Sequence, residues 1–182
     1  MSDSASRPPR AMLSAGRGLP RTERPHTPEY GIPESLEGTL PWSWAEERLR
    51  ESLVYWMATT NPDGRPHLRP IWAAWADGSL WFEGGLRTGW ARNLLAGSAC
   101  SMSVERGRDA VIVEGSPAMF REPEPPLEEL LVEGYAKYVE TLGYRVDPAN
   151  WREGGLWRLQ PVVAFGWSGG YPSDATRWRW LP

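Results

Sequence analysis

Cysteine and lysine are almost missing from this sequence, with Cys100 and Lys137 the single representatives of their types. One thiol cannot close an internal disulfide, so the fold must be held by burial and hydrogen bonding, and a reducing, cytoplasmic setting is expected. Any redox chemistry then needs a cofactor. Histidine is limited to His26 and His67, so a Ser-His-Asp or Cys-His constellation would rest on His67 alone. No apolar run approaches the roughly 20 residues of a membrane span, and the N-terminus lacks the apolar block of a signal peptide, so no membrane partner is expected. The phosphate-binding G-x-x-x-x-G-K-[ST] loop, a G-x-G-x-x-G turn between strand and helix, H-E-x-x-H and paired C-x-x-C motifs are all missing, which removes support for nucleotide triphosphatases, Rossmann dehydrogenases and zinc hydrolases. A net charge of -3 supplies no global field that would draw nucleic acid. An anion site, if present, must be local.

What the chain has is tryptophan, 12 in 182 residues, within a 41% apolar composition sufficient for one core. Indole rings bury large areas and also stack on planar ligands. Residues 1–40 are rich in Pro, Gly, Ser, Arg and Glu without apolar periodicity and are expected to form a disordered arm. The folded domain is expected over residues 41–182. Ser43 and Glu46 read as a capping box that opens a helix. Residues 53–60 and 65–75 flank the turn Asn61-Pro62-Asp63-Gly64 and predict a hairpin; Asp77-Gly78 turns the chain into Leu80, Trp81 and Phe82. A short helix over residues 90–96, a strand pair over 99–105 and 110–120, and a helix over 127–142 follow. Residues 156–167 form a strand interrupted at Pro161, and 176–181 a terminal strand. This order predicts a mainly β protein, a small antiparallel barrel with flanking helices.

The segment from Glu83 through Gly84, Gly85, Leu86, Arg87, Thr88, Gly89, Trp90, Ala91 and Arg92 to Asn93 joins a strand end to a helix start. Free N–H groups there, with Arg87, Arg92 and the Thr88 hydroxyl, suit a phosphate. An equally open reading is a Gly-rich connection with Thr88 as N-cap and two solvated arginines. Arg69, on the adjacent strand, could reach the same anion in bidentate fashion. Arg177 and Arg179 alternate with Trp178 and Trp180 at strand spacing, so the arginines share one face; they either meet a ligand's polar edge or belong to an edge strand with cation-π neighbours. His67 reads as a structural side chain and Cys100 as an inert buried thiol.

Taken together, Ala58 to His67 around the hairpin, Leu80-Trp81-Phe82 leading to Arg87-Thr88, Ala91-Arg92-Asn93-Leu94, and Arg177-Trp178-Arg179-Trp180 resemble the pyridoxamine 5'-phosphate oxidase-like flavin-binding family. The resemblance covers residue 41 to the C-terminus. It implies a six-stranded split β-barrel, a homodimer with two cofactor sites at the subunit interface, and flavin-dependent oxidoreductase chemistry on a small-molecule substrate, with hydride moving through bound FMN. A deazaflavin coenzyme in place of FMN, or a non-catalytic carrier of flavin, haem or another planar ligand, are the alternatives. By position, the family's phosphate-binding arginine falls on Arg69, the strand bordering the flavin ring on Pro70, Ile71 and Trp72, the strand end on Glu83 and Gly84, and the late Trp and Arg on Trp167 and Arg177. The family's Ser-Arg-Lys phosphate grip falls on Thr88, Gly89 and Trp90, so the basic pair is replaced and Arg87 and Arg92 are the compensating candidates. A lysine usual near the end of the preceding strand is Ala74 here. Residues specific to pyridoxamine phosphate as substrate are not found.

Overall fold

The structure is a computed structural model and describes residues 18–181. It is mainly β, and its strands pair antiparallel throughout. Strand β1 is Arg21–Glu23, β2 Tyr55–Thr60, β3 Pro66–Ile71, β4 Ala73–Ala76, β5 Ser79–Glu83, β6 Cys100–Arg106, β7 Asp109–Phe120, β8 Leu156–Trp167 and β9 Thr176–Arg179; the helices are α1 Trp42–Glu51, α2 Gly89–Leu95, α3 Pro125–Tyr135, α4 Lys137–Leu142 and α5 Pro148–Gly154.

The single strand expected over residues 65–75 is bent at Trp72 into β3 and β4. Its first half pairs with β2 and its second with β5. The chain of pairings then runs from β5 to β8, β7, β6 and back to β2. With β3 and β4 counted as one bent strand, six strands close the expected barrel. The long β8 makes this possible, because its first half carries β5 and its second half carries β9 on the same edge. Pro161 does not end the strand. It faces Gly115 where Val162 is the extra residue of a bulge in β8, and a Cβ on residue 115 would lie 1.9 Å from the Gln160 carbonyl oxygen, so only glycine admits the approach.

Alternation sorts the side chains as the pleat requires. On β2, Tyr55, Met57 and Thr59 are buried while Trp56, Ala58 and Thr60 are exposed. The barrel interior gathers Met57, Phe82, Met102, Val113, Leu159 and Trp178. Trp42 packs edge-on against Trp75, Trp178 and Trp180, so much of the tryptophan content is core. A second cluster on the outer face of β4 and β5 is covered by α3 and α4 through Leu127, Leu131, Tyr135 and Tyr138. The helix expected over 127–142 thus packs over the barrel as two pieces joined at Ala136. A Cβ on Gly134 would lie 2.8 Å from the Ala74 Cβ, which explains the small residue at 74: the helix leaves no room there for a lysine.

Three further features differ from the sequence reading. Helix α1 begins at Trp42 with Pro41 at its N-cap and no side-chain capping bond, so the Ser43 capping box does not form; Glu46 instead accepts a hydrogen bond from Trp75 Nε1 at 3.1 Å. Helix α5, capped by the Asp147 side chain, has no counterpart in the expected elements. Residues 18–40, assigned to the disordered arm, are ordered: β1 adds to the edge of β9, and the Arg24 guanidinium donates to the carbonyls of Ser35, Glu37, Ser173 and Ala175. A polar segment with little to bury is held here by backbone pairing and one arginine that satisfies four carbonyls. The remainder of the arm, residues 1–17, lies outside the described residues.

Lys137, the first residue of α4, reaches across to α1 and β2, donating to the Arg50 carbonyl at 3.0 Å and the Tyr55 hydroxyl at 2.7 Å. Burial pushes its ammonium down from 10.5 to about 7. Between those values the unfolded chain binds more protons than the folded one, so this residue makes stability rise with pH across that window. In Lys137→Met the rise between about pH 7 and 9.5 is expected to flatten relative to the parent, as read from urea midpoints. An unchanged slope would mean that the lysine is solvated.

Candidate functional site

Cross-strand register fixes the direction of β3. His67, Arg69 and Ile71 lie opposite the inward-facing Thr59, Met57 and Tyr55, whereas Leu68 and Pro70 lie opposite the outward-facing Ala58 and Trp56. His67, Arg69 and Ile71 therefore share a face. At one end of this row the His67 ring covers α2: a Cβ on Gly89 would lie 2.9 Å from Nε2. At the other end Ile71 lines a cavity of about 390 Å³ with Trp72, Glu83, Gly84, Tyr135 and Tyr144. Arg69 stands between the two, exposed, with Nη1 donating to the Leu68 carbonyl at 2.7 Å.

The cavity wall is aromatic with one carboxylate. Trp72 stacks on Tyr138 with ring centres 5.4 Å apart and meets Tyr144 at 4.8 Å. The Glu83 oxygens accept hydrogen bonds from the Tyr144 hydroxyl and from Trp151 Nε1. Burial, followed by the Glu83 carboxylate, pushes the Tyr144 hydroxyl well above the usual tyrosine range, so it remains a proton donor. Neither Tyr144 nor Trp151 was singled out from the sequence. They come from the 142–155 segment, whose lack of strong periodicity hid α5.

The strand-to-helix turn is closed by its own side chains. Thr88 serves as N-cap of α2, accepting from the Ala91 N–H at 3.4 Å, and Trp90 is buried against Phe82 and Trp157. Gly84 is required by that packing, since a Cβ there would lie 2.7 Å from Trp90 Cζ2. Asn93, 3% exposed, donates to Thr59 Oγ1 and Asn61 Oδ1, each at 3.0 Å, and so ties α2 to the hairpin. Thr59 Oγ1 in turn lies 3.4 Å from His67 Nδ1. Arg87 and Arg92 are both exposed, on the turn and on α2 respectively.

The sequence-derived residues thus fall into two groups. Ile71, Trp72, Glu83 and Gly84 line one cavity, with Arg69 and Pro70 on β3, Arg87 and Thr88 on the turn and Arg92 on α2. Trp167 and Arg177 line a different cavity of about 520 Å³ with Tyr30, Phe165 and Tyr171, beneath residues 25–32. Arg177 is ion-paired there with Glu23 at 2.5 Å. Cys100 is 4% exposed and burial pushes its thiol up to about 12, in keeping with an inert side chain.

The sequence profile of the pyridoxamine 5'-phosphate oxidase family matches residues 44–157, more than half of the chain. Comparison with curated proteins finds no match. Among solved structures, a conserved hypothetical protein from Mycobacterium tuberculosis is similar at 22% identity and TM-score 0.60, over 74% of this chain and 88% of that one. An F420 reductase gives 23% identity and TM-score 0.52 over 65% and 94%. HutZ, the haem storage protein from Vibrio cholerae, gives 16% and 0.52 over 65% and 88%. These likenesses establish a shared split-barrel fold. The chain belongs to the pyridoxamine 5'-phosphate oxidase family.

Loss of the Asn93 amide should loosen α2 from the barrel. Asn93→Ala is expected to cost about 1–3 kcal/mol in denaturant unfolding, because the buried Thr59 hydroxyl loses its donor. A cost near zero would show that the bridge contributes nothing.

Proposed function

We propose that this protein is an oxidoreductase that works with a bound deazaflavin coenzyme. The observation that carries the choice is the closed turn at residues 88–90. FMN ends in a short arm with one phosphate and needs a compact grip. Here the Thr88 hydroxyl caps α2, Gly89 lies under His67, and Trp90 is in the core. The arginines that remain, Arg69, Arg87 and Arg92, are exposed and spread along the strand and turn. A cofactor with a long acidic tail fits that distribution better than one compact phosphate. The aromatic cavity beside Arg69, with Ile71, Trp72 and Gly84 in its wall, has the size and apolar character that suit a planar ring. Likeness in fold to an F420 reductase supports the same reading.

Bound deazaflavin supplies hydride transfer, and the protein supplies positioning and electrostatics. Arg69 would hold the acidic tail, while the Trp72 and Gly84 walls exclude water from the ring. FMN is the second reading, favoured by the matched position of Arg69 in a family that binds flavins. Fluorescence titration with the deazaflavin coenzyme and with FMN separates the two. Saturable deazaflavin binding, weakened about tenfold or more in Arg69→Ala, is the expected result. FMN binding alone would put the second reading first, and binding of neither would overturn both.

The same reading includes a homodimer. Val54, Trp56 and Leu68 are 44%, 40% and 52% exposed, and the register places Leu68 and Pro70 on the outer face beside Trp56 and Ala58. An apolar sheet face of this kind marks an interface, and a second copy is the occupant the family suggests. Leu68→Glu is expected to convert a dimer to a monomer in sedimentation; a parent chain that is already monomeric would remove the proposal.

A further inference from the structure

The cavity wall carries a signal that neither flavin nor deazaflavin binding requires. Trp72, Tyr135 and Tyr144 present aromatic surface, and Glu83 is the one formally charged side chain described among the lining residues. The carboxylate is fixed by two donors, Tyr144 and Trp151, that approach different oxygens. Each oxygen keeps further accepting capacity. Aromatic faces attract cations through their quadrupole, and a fixed carboxylate adds charge, whereas an anion would meet repulsion and an apolar guest would leave the carboxylate without water. Trp72 is 40% exposed, so its ring is accessible from the opening.

We infer that this cavity selects an organic cation, a quaternary ammonium or protonated amine carried on an apolar body, whose charged end sits against Glu83 and the Trp72, Tyr135 and Tyr144 rings. The inference rests on the oxidoreductase reading only in making that cation the substrate; the binding itself requires no cofactor. Substrate and coenzyme would then share the cavity as adjoining hydride partners of opposite charge, the coenzyme ring along the Ile71 and Gly84 wall with its acidic tail on the arginine side of β3, and the substrate's cationic end against Glu83.

The test is ligand-observed NMR titration of the full chain, without cofactor, using phenyltrimethylammonium, its neutral isostere tert-butylbenzene, and benzoate. The ammonium is expected to bind at least about tenfold more tightly than either of the others. Glu83→Gln should erase that preference while leaving the isostere's affinity unchanged. Equal binding of all three probes, or an undiminished preference in Glu83→Gln, would overturn the inference. Should near-UV circular dichroism show that Glu83→Gln does not fold, Trp72→Leu decides, since the half-exposed ring is not needed for the core: ammonium affinity must fall several-fold, and an unchanged affinity overturns the inference. Deazaflavin titration separates the two ideas. Ammonium selectivity without deazaflavin binding would sink the proposed cofactor and spare the cation site, and the reverse result would do the opposite.

Discussion

The hydroxyl of Tyr138 holds the barrel and its cavity together. It accepts from the Ala73 N–H and donates to the Ala73 carbonyl, both at 3.0 Å, at the point where β3 turns into β4. A bend there would otherwise leave backbone polar groups inside the protein without partners, a cost comparable to losing those hydrogen bonds. With both groups satisfied, one strand can serve β2 along its first half and β5 along its second, which is what closes six strands into a barrel. The bend also displaces Trp72 from the sheet onto the Tyr138 and Tyr144 rings, and that displacement makes the cavity wall. Helix α3 reaches this position only because Gly134 lies directly on Ala74.

Much of the barrel was legible because its strands alternate and its turns use residues that demand particular backbone angles. Asn61-Pro62-Asp63-Gly64 and Asp77-Gly78 are such turns, with Gly64 and Gly78 at positive φ. The missed features lack a local signature. The bend at Trp72 depends on a tyrosine 66 positions later, and β1 depends on an edge offered by β9, near the other end of the chain. Glu83 was recognised as a strand-end residue, but its donors Tyr144 and Trp151 come from a region where sequence spacing carries no period. Ser43 shows the opposite failure: a good local capping signature lost because Pro41, with its fixed φ and no N–H, already serves as N-cap two residues earlier.

Charge is distributed by the same logic. The N-terminal strand covers the exposed edge of β9, and Glu23 comes with it to pair Arg177 and approach Arg179 at 3.6 Å. That ion pair sets Arg177 apart from Arg69, Arg87 and Arg92, which are solvated. An arginine already facing a carboxylate is a weaker anion site than one facing water, so matched position in a family does not by itself transfer a role.

The turn between β5 and α2 shows why the replaced basic pair is no isolated change. Trp90 occupies the core against Phe82 and Trp157, and its ring excludes any side chain at residue 84; the His67 ring lies directly over residue 89. Restoring a lysine or arginine at 90 would draw a charged side chain into a site now 7% exposed, and a side chain at 89 would require the imidazole to move. His67, Gly84, Gly89 and Trp90 therefore pack as one unit at the start of α2, with the histidine near Thr59. Arg69, Arg87 and Arg92 stand outside that packing, exposed on β3, the turn and α2 respectively.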